Sequence, residues 1–266
     1  MITPRPRSRA RLFFGIMYFR AKRRINWAKS NHKMAKIRPF LLVHEYISHK
    51  TPLLRELKNI EMPMQYNKIH NLKIAAPKIN KITIKPGEVF SYWRAIGKPT
   101  ALKGYKKGMF LKNGQVLSKT GGGLCQLSNM LYWLVLHTPL TVVERYRHSY
   151  DVFPDSRRSQ PFGSGATCFY NYVDLIIQNN TNVTFQITVE ITEEHLEGAI
   201  FGDLAPVCSY EIYEKSHKIQ HEYWGQYTRH NEIWRKKIAP TGEQIGDEFV
   251  CKNAAIMMYE PMLETQ

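Results

Sequence analysis

Three consecutive glycines, followed by a cysteine and a long apolar segment, constrain this chain more than any other feature. Residues 121–123 are all glycine, which permits positive φ angles and close approach of other backbone. The segment 129–137 then carries apolar side chains nearly all round, as in a buried helix, and Pro139 ends it. We therefore predict a central buried helix that starts at Cys125.

Cys125 stands where a helix would activate a thiol. The macrodipole and the free N–H groups of a first helical turn stabilise a thiolate. His148 follows 23 residues later, after a strand-like segment, and a helix–turn–strand path can return it to the cysteine. We predict Cys125 as a catalytic nucleophile and His148 as its general base. The alternative is that Cys125 only packs in the core, because free cysteine is among the most buried residue types.

A second class of function is a binding module. The glycine N–H groups and the Gln126 amide are candidate oxyanion donors, and an arginine near His148 is a candidate partner for a carboxylate or phosphate. Aromatic side chains and the irregular loop 151–167 would line a groove for a peptide or glycan. The alternative is that the aromatics belong to the core and the arginines are solvated. The candidate binding residues are Gly121, Gly122, Gly123, Gln126, Arg145 and Trp93.

Three motifs resemble the VanW family. They are Gly-Gly-Gly-Leu-Cys-Gln-Leu-Ser at 121–128, Lys-Pro-Gly-Glu-Val-Phe-Ser-Tyr-Trp at 85–93 and Val-Val-Glu-Arg-Tyr-Arg-His at 142–148. The segment 172–181 extends the resemblance, which covers roughly residues 66–203. It implies a link to vancomycin (glycopeptide) resistance, peptidoglycan or the cell envelope. The implied function is an accessory protein that binds a cell-wall-related peptide or glycan, or alternatively a Cys–His thiol hydrolase or acyl transferase on such substrates.

The chain departs from the family pattern at Gly165. Many relatives read Gly-x-Asp-Ala-Thr where this chain reads Gly-Ser-Gly-Ala-Thr at 163–167. If that aspartate orients the histidine in relatives, the third member of a triad is missing here, which puts catalysis in doubt. The candidates to replace it are Asp151, Asp155 and Asp174.

The N-terminal region is a basic arm on a nearly balanced body. Residues 1–38 contain 12 Lys/Arg and no Asp or Glu, within a net charge of +16 for the whole chain. The apolar run 12–19 is too short to span a bilayer and lacks a clear signal-peptide cleavage site. It is consistent with a helix on an anionic membrane surface, a helix packed on the body, or contact with a phosphate backbone. We predict a cytoplasmic location, with peripheral contact with an anionic membrane surface as one alternative, and no specific nucleic acid partner because no recognisable nucleic-acid module is present.

The remaining patterns predict an α+β fold with a helical N-terminal half and an antiparallel β-sheet in the C-terminal half. Residues 37–62 are predicted to be helical, and Asn113-Gly114 between apolar runs predicts a hairpin. The predicted domains are a basic helical region at 1–65, a core domain at 66–203 and a β-rich extension at 204–266.

Metal and cofactor sites are not predicted. The four cysteines include no CxxC pair and are too scattered for a disulfide scaffold. Cys125 and His148 lack a convincing third metal ligand. The chain contains no glycine-rich nucleotide-binding motif, so we expect no cofactor.

Overall fold

The computed structural model describes residues 8–54, 62–152 and 160–261. The α-helices in these ranges are α1 (Arg9–Lys29), α2 (Met62–Ala75), α3 (Tyr92–Ile96) and α4 (Cys125–Leu136). The strands are β1 (Lys36–Ile37), β2 (His44–Pro52), β3 (Ile82–Ile84), β4 (Val89–Ser91), β5 (Lys107–Lys112), β6 (Gln115–Thr120), β7 (Thr141–Glu144), β8 (Tyr150–Asp151), β9 (Ile176–Gln178), β10 (Phe185–Ile191), β11 (His195–Gly202), β12 (Ser209–His221), β13 (Tyr227–Ile238) and β14 (Gln244–Met257). Two short 3-10 helices span Ala76–Lys78 and Ala101–Lys103.

The main core lies between α4 and a five-stranded antiparallel sheet with the strand order β1-β3-β10-β11-β2. α4 begins at Cys125 and packs against β11 and β2. Leu127, Leu131 and Leu134 of α4 are fully buried. Gly198 in β11 permits this approach, because a Cβ there would lie 2.6 Å from Met130 Cε. Burial of this apolar surface stabilises a helix too short to persist alone.

A second sheet, with the order β12-β13-β14-β8, is attached to the end of α4 by Arg235. Arg235 Nη1, on β13, donates to the carbonyl oxygens of Leu136 at 3.0 Å and Thr138 at 2.9 Å. Its Nε and Nη2 each lie 2.7 Å from Glu248 Oε2. A cation at a helix C-terminus satisfies the last carbonyls and interacts favourably with the macrodipole. The C-terminal strands are thereby fixed to the central helix.

Two smaller sheets complete the described fold. Strands β4, β9 and β7 form one, and β5 and β6 form a hairpin. The hairpin turn consists of Asn113 and Gly114, whose φ angles of 49° and 76° suit a two-residue turn. The hairpin predicted from Asn-Gly is confirmed. It ends directly before the glycines that precede α4.

The predicted α+β arrangement, with a helical N-terminal half and a C-terminal antiparallel sheet, is wrong, because the chain is mostly β. Residues 44–52, predicted to be helical, form β2, and six strands precede α4. Half-buried and exposed residues alternate from Ile47 to Pro52, and β2 pairs with β11. That partner comes from a distant part of the chain, so local propensity did not reveal the strand. The strands of the C-terminal half also belong to three different sheets.

The helices of the described ranges include none that is both long and apolar enough to cross a membrane. The three predicted domains stay a prediction. Contacts cross both proposed boundaries, since β2 pairs with β11 and Arg235 binds the end of α4.

Candidate functional site

The glycines before α4 occupy places where a side chain would collide with neighbours. A Cβ at Gly122 would lie 2.1 Å from the carbonyl oxygen of Gly108 in β5. A Cβ at Gly123, whose φ is +91°, would lie 2.2 Å from Lys68 Cγ in α2. The buried Asn71 of α2 donates from Nδ2 to the Gly122 carbonyl at 2.9 Å. The glycines therefore allow α2, β5 and the start of α4 to meet.

Two of the three glycine N–H groups are engaged within the fold. Gly121 N–H donates to the Lys106 carbonyl at 3.0 Å, and Gly122 N–H donates to the Lys119 carbonyl at 2.9 Å. These N–H groups are directed at backbone carbonyls of the chain itself. Their role as oxyanion donors stays a prediction.

Gln126 holds the first turn of α4 to the end of β2. Its Nε2 donates to Thr51 Oγ1 and to the Pro52 carbonyl, both at 3.0 Å. A ligand would have to replace these two bonds to use the same amide. The predicted binding role of Gln126 likewise stays a prediction.

The Cys125 thiol is directed at backbone. Cys125 Sγ donates to the Cys168 carbonyl at 3.8 Å, and Cys168 itself is buried. Although residue 125 as a whole is half-buried, burial raises the pKa of its thiol, and hydrogen bonds from the backbone of Cys168 and Cys125 to the sulfur offset only part of this rise. Desolvation thus outweighs these hydrogen bonds, and the thiol is protonated at neutral pH.

His148 lies beside Phe169 and forms no hydrogen bond with Cys125, both residues being within the described ranges. The His148 and Phe169 ring centroids are 6.2 Å apart, with an edge-on angle of 76°. Burial lowers the pKa of His148, and the nearby Arg147 lowers it further, so the imidazole is neutral at neutral pH. The two candidate catalytic residues therefore contact the same segment, Cys125 through the Cys168 carbonyl and His148 through the Phe169 ring.

Trp93 is only 3% exposed and lies in the core, and its predicted binding role stays a prediction. Its indole N–H donates to the Val173 carbonyl at 2.9 Å, and its backbone N–H donates to Asp174 Oδ1 at 3.0 Å. Asp174 is completely buried and also accepts hydrogen bonds from Ser91 Oγ at 2.6 Å and from the Leu175 N–H at 2.9 Å. These bonds tie the start of α3 to the segment before β9.

A charged network that the sequence did not reveal connects Asp174 with α1. Burial raises the pKa of Asp174 to about 6, and the hydrogen bonds from Ser91 and Trp93 oppose the rise. Arg23 of α1 forms an ion pair with Glu144 of β7, and Glu144 Oε1 also accepts from the Asp174 N–H at 3.2 Å. One sequence feature could have revealed this network. Glu144 and Asp174 each stand in an otherwise apolar strand-like run, and a buried carboxylate needs a partner.

Arg145 holds the loop 163–165 in place. Its Nε donates to the Gly165 carbonyl at 2.9 Å, its Nη2 donates to the Gly163 carbonyl and its Nη1 donates to Asn253 Oδ1 at 3.2 Å. The guanidinium carbon lies 4.8 Å from the centre of the Tyr132 ring, which adds a cation–π contact. A carboxylate or phosphate ligand would compete with these bonds, and binding by Arg145 stays a prediction.

The position of the family aspartate is filled by a neighbour. A Cβ at Gly165 would lie 2.6 Å from Asn129 Oδ1, which accepts from the Ala166 N–H at 2.8 Å. Of the candidate replacements, Asp174 is bound to Ser91, and Asp151 Oδ2 lies 3.6 Å from Arg229 Nη1. The third candidate, at position 155, lies outside the described residues.

A search of the described residues finds no group of three or more His, Cys, Asp or Glu side chains placed to hold a metal ion. The absence of a metal and of a cofactor stays a prediction from the sequence.

Comparison with known proteins accounts for the motifs at this site. The family model described as VanW like protein matches residues 67–201. The chain is 36% identical over 200 residues to the Vancomycin B-type resistance protein VanW of Enterococcus faecalis, which covers 75% of this chain and 72% of that protein. It is 33% identical over 116 residues to the uncharacterized protein YoaR of Bacillus subtilis, covering 42% of this chain and 36% of YoaR. No solved structure matches the chain significantly. The resemblance seen in the sequence is confirmed, and the chain belongs to the VanW family.

Proposed function

We propose that this protein is an accessory factor in resistance to vancomycin-type glycopeptides and that it binds a cell-wall-related peptide or glycan. The first part is supported by the 36% identity with a protein named for vancomycin resistance. The similarity extends over 200 residues and is therefore not limited to the short motif at residues 121–128. The cytoplasmic location stays a prediction from the sequence.

One observation favours binding over thiol catalysis. Cys125 Sγ donates to the Cys168 carbonyl, a bond that requires the protonated thiol, whereas a nucleophile must be a thiolate. Burial raises the pKa of the same thiol, and the lowered pKa of His148 makes this imidazole a weaker base.

A Cys–His thiol hydrolase or acyl transferase remains the second candidate because Cys125 and His148 contact adjacent residues. The Cys168 carbonyl accepts from the thiol, and the next side chain, Phe169, lies against the imidazole. A shift of this one segment on ligand binding would change the environment of both groups. Catalytic geometry often tightens only in the substrate complex.

A soluble muramyl pentapeptide and a chito-oligosaccharide would serve as probes in calorimetric titrations. We expect saturable heat with one probe, equal affinity for Cys125→Ser, and an unchanged probe mass after incubation. A probe cleaved or transferred by the parent but not by Cys125→Ser would establish the enzyme. No heat with either probe would refute the proposed ligand class.

The resistance role has a separate test in a glycopeptide-resistant host that lacks its own family member. We expect the parent chain and Cys125→Ser to raise the inhibitory vancomycin concentration equally. An unchanged inhibitory concentration, with both proteins present at normal levels, would overturn this part of the proposal.

A further inference from the structure

The face of α1 that contacts the body combines two arginines with the half-buried Trp27 side chain, which packs against the core. Arg20 Nε donates to the Tyr170 carbonyl at 3.2 Å, and Arg23 Nη2 donates to the Tyr172 carbonyl at 3.1 Å. One helical turn later, the carbonyl of Trp27 accepts from Arg94. Residues 20, 23 and 27 are spaced by three and four, so they share one side of the helix.

The opposite face of α1 is apolar and exposed. Phe14, Met17, Tyr18 and Ile25 are 67%, 52%, 61% and 51% exposed, and α1 contributes no buried residue to the core. Their spacing of three, four and seven residues places them on one stripe, about half a turn away from Arg23. An exposed apolar stripe on the side away from the body is unusual for a surface helix, and contiguous exposed apolar patches mark interaction sites.

Cations flank this stripe on both sides. At 100° per residue, one flank carries Arg11, Lys22 and Lys29, and the other carries Arg24. No acidic residue occurs in α1. An apolar stripe between rows of Lys and Arg is the arrangement of helices that lie in the interface of an anionic bilayer.

We propose that α1 binds the surface of an anionic lipid bilayer. The stripe, formed by Phe14, Met17, Tyr18 and Ile25, lies at the boundary between headgroups and acyl chains, and the flanking cations contact lipid phosphates. Arg20 and Arg23 hold the body on the aqueous side. A second copy of the chain fits this face less well, since its cations would meet like charges, and nucleic acid offers no apolar surface to the stripe.

Co-sedimentation of the full chain with vesicles tests the proposal. We expect binding to phosphatidylglycerol–phosphatidylcholine vesicles, weak binding to pure phosphatidylcholine, and loss of binding in high salt. The triple variant Phe14→Ser/Met17→Ser/Ile25→Ser should bind at least tenfold more weakly. Lys22→Gln/Lys29→Gln should bind more weakly by about fivefold per cation removed.

A matched control carries three exposed apolar substitutions away from α1, namely Leu102→Ser, Val207→Ser and Tyr223→Ser. We expect this control to bind vesicles as the parent does. Equal loss of binding in the control and in the stripe variant would overturn the proposal, as would an absence of binding by the parent.

Sedimentation velocity without lipid measures the oligomeric state of the parent and of the stripe variant. A parent dimer that becomes monomeric only in the stripe variant would assign the face to a second copy and overturn the lipid assignment.

Discussion

Ser91 Oγ donates a hydrogen bond of 2.6 Å to Asp174 Oδ2, and both residues are buried. The same hydroxyl caps α3 by accepting from the Arg94 N–H at 3.3 Å. Asp174 Oδ1 accepts the Trp93 N–H, so one carboxylate orients the beginning of the helix. The pair thus joins the end of β4, the start of α3 and the segment that precedes β9.

The free energy of unfolding should depend on the pH through Asp174. Its pKa is raised by burial to about 6, whereas an unfolded aspartate titrates near 3.9, so the native state binds the proton more tightly. The stabilisation is complete below about pH 4 and is lost as the pH rises through about 6, with a total of about 3 kcal/mol. Urea unfolding of the parent and Asp174→Asn across this range measures the difference. A constant difference between the two proteins would contradict the raised pKa.

Gly122→Ala should destabilise the protein by about 3 kcal/mol or more. The new Cβ would lie 2.1 Å from the Gly108 carbonyl oxygen, and relief requires separation of two backbone segments. Thermal unfolding followed by circular dichroism measures the effect. Gly246→Ala is the matched control, because its nearest neighbour, Lys237 Cβ, would be 3.5 Å away, an ordinary contact. Similar small effects of both substitutions would show that the loop can move.

Cys125 should be alkylated slowly at neutral pH, and its rate should rise only above the usual range of a cysteine pKa. Burial raises the pKa of this thiol, and His148 forms no hydrogen bond with it in the described structure. Iodoacetamide labelling of a chain with Cys168, Cys208 and Cys251 replaced by alanine isolates the group. His148→Ala should leave the profile unchanged. A plateau below pH 8.5, the value of a free thiol, would instead reveal an activated thiolate.

Arg235→Ala should lower the free energy of unfolding by about 2–3 kcal/mol, since it leaves the Leu136 and Thr138 carbonyls without their charged donor. Glu248→Gln removes the charge partner but keeps the helix bonds, so it should have less than half that effect. Chemical unfolding of both single variants and of the double variant gives the coupling energy. Equal effects of the two single substitutions would place the stabilisation in the ion pair.

Gly165→Asp, which introduces the aspartate expected from the family resemblance, should destabilise this chain by about 2 kcal/mol. The side chain would meet Asn129 Oδ1, 2.6 Å from the new Cβ. Asn129→Gly in the same chain removes the obstacle, but it also removes the bond to the Ala166 N–H and weakens α4, so the double variant should lose less stability than the sum of the two single losses. Differential scanning fluorimetry gives the melting temperatures of the parent, the two single variants and the double variant. Failure of Asn129→Gly to compensate would place the conflict elsewhere.

The sequence predicted those elements whose causes are local. The Asn113–Gly114 turn and the start of α4 at Cys125 follow from neighbouring residues, and the structure contains both. Strand β2 was predicted as helix because its partner β11 lies far along the chain.

The candidate site shows the same division between local and distant causes. Motif and spacing singled out Cys125 and His148, which contact the adjacent residues Cys168 and Phe169. Their protonation states depend on burial by distant residues, which no local pattern reports. The hydrogen bonds of Arg145 also depend on a distant residue, since one of its partners is Asn253.

The pairing of β2 with β11 has a consequence for synthesis. His44 pairs with Gly202, and Pro52 pairs with His195. At ribosomal elongation rates, β2 leaves the ribosome on the order of ten seconds before its neighbour is made. During this interval, the exposed charges of Glu45 and Lys50 oppose pairing with other chains. Because β2 and β11 are far apart in the chain, we expect the main sheet of the nascent protein to close slowly and late.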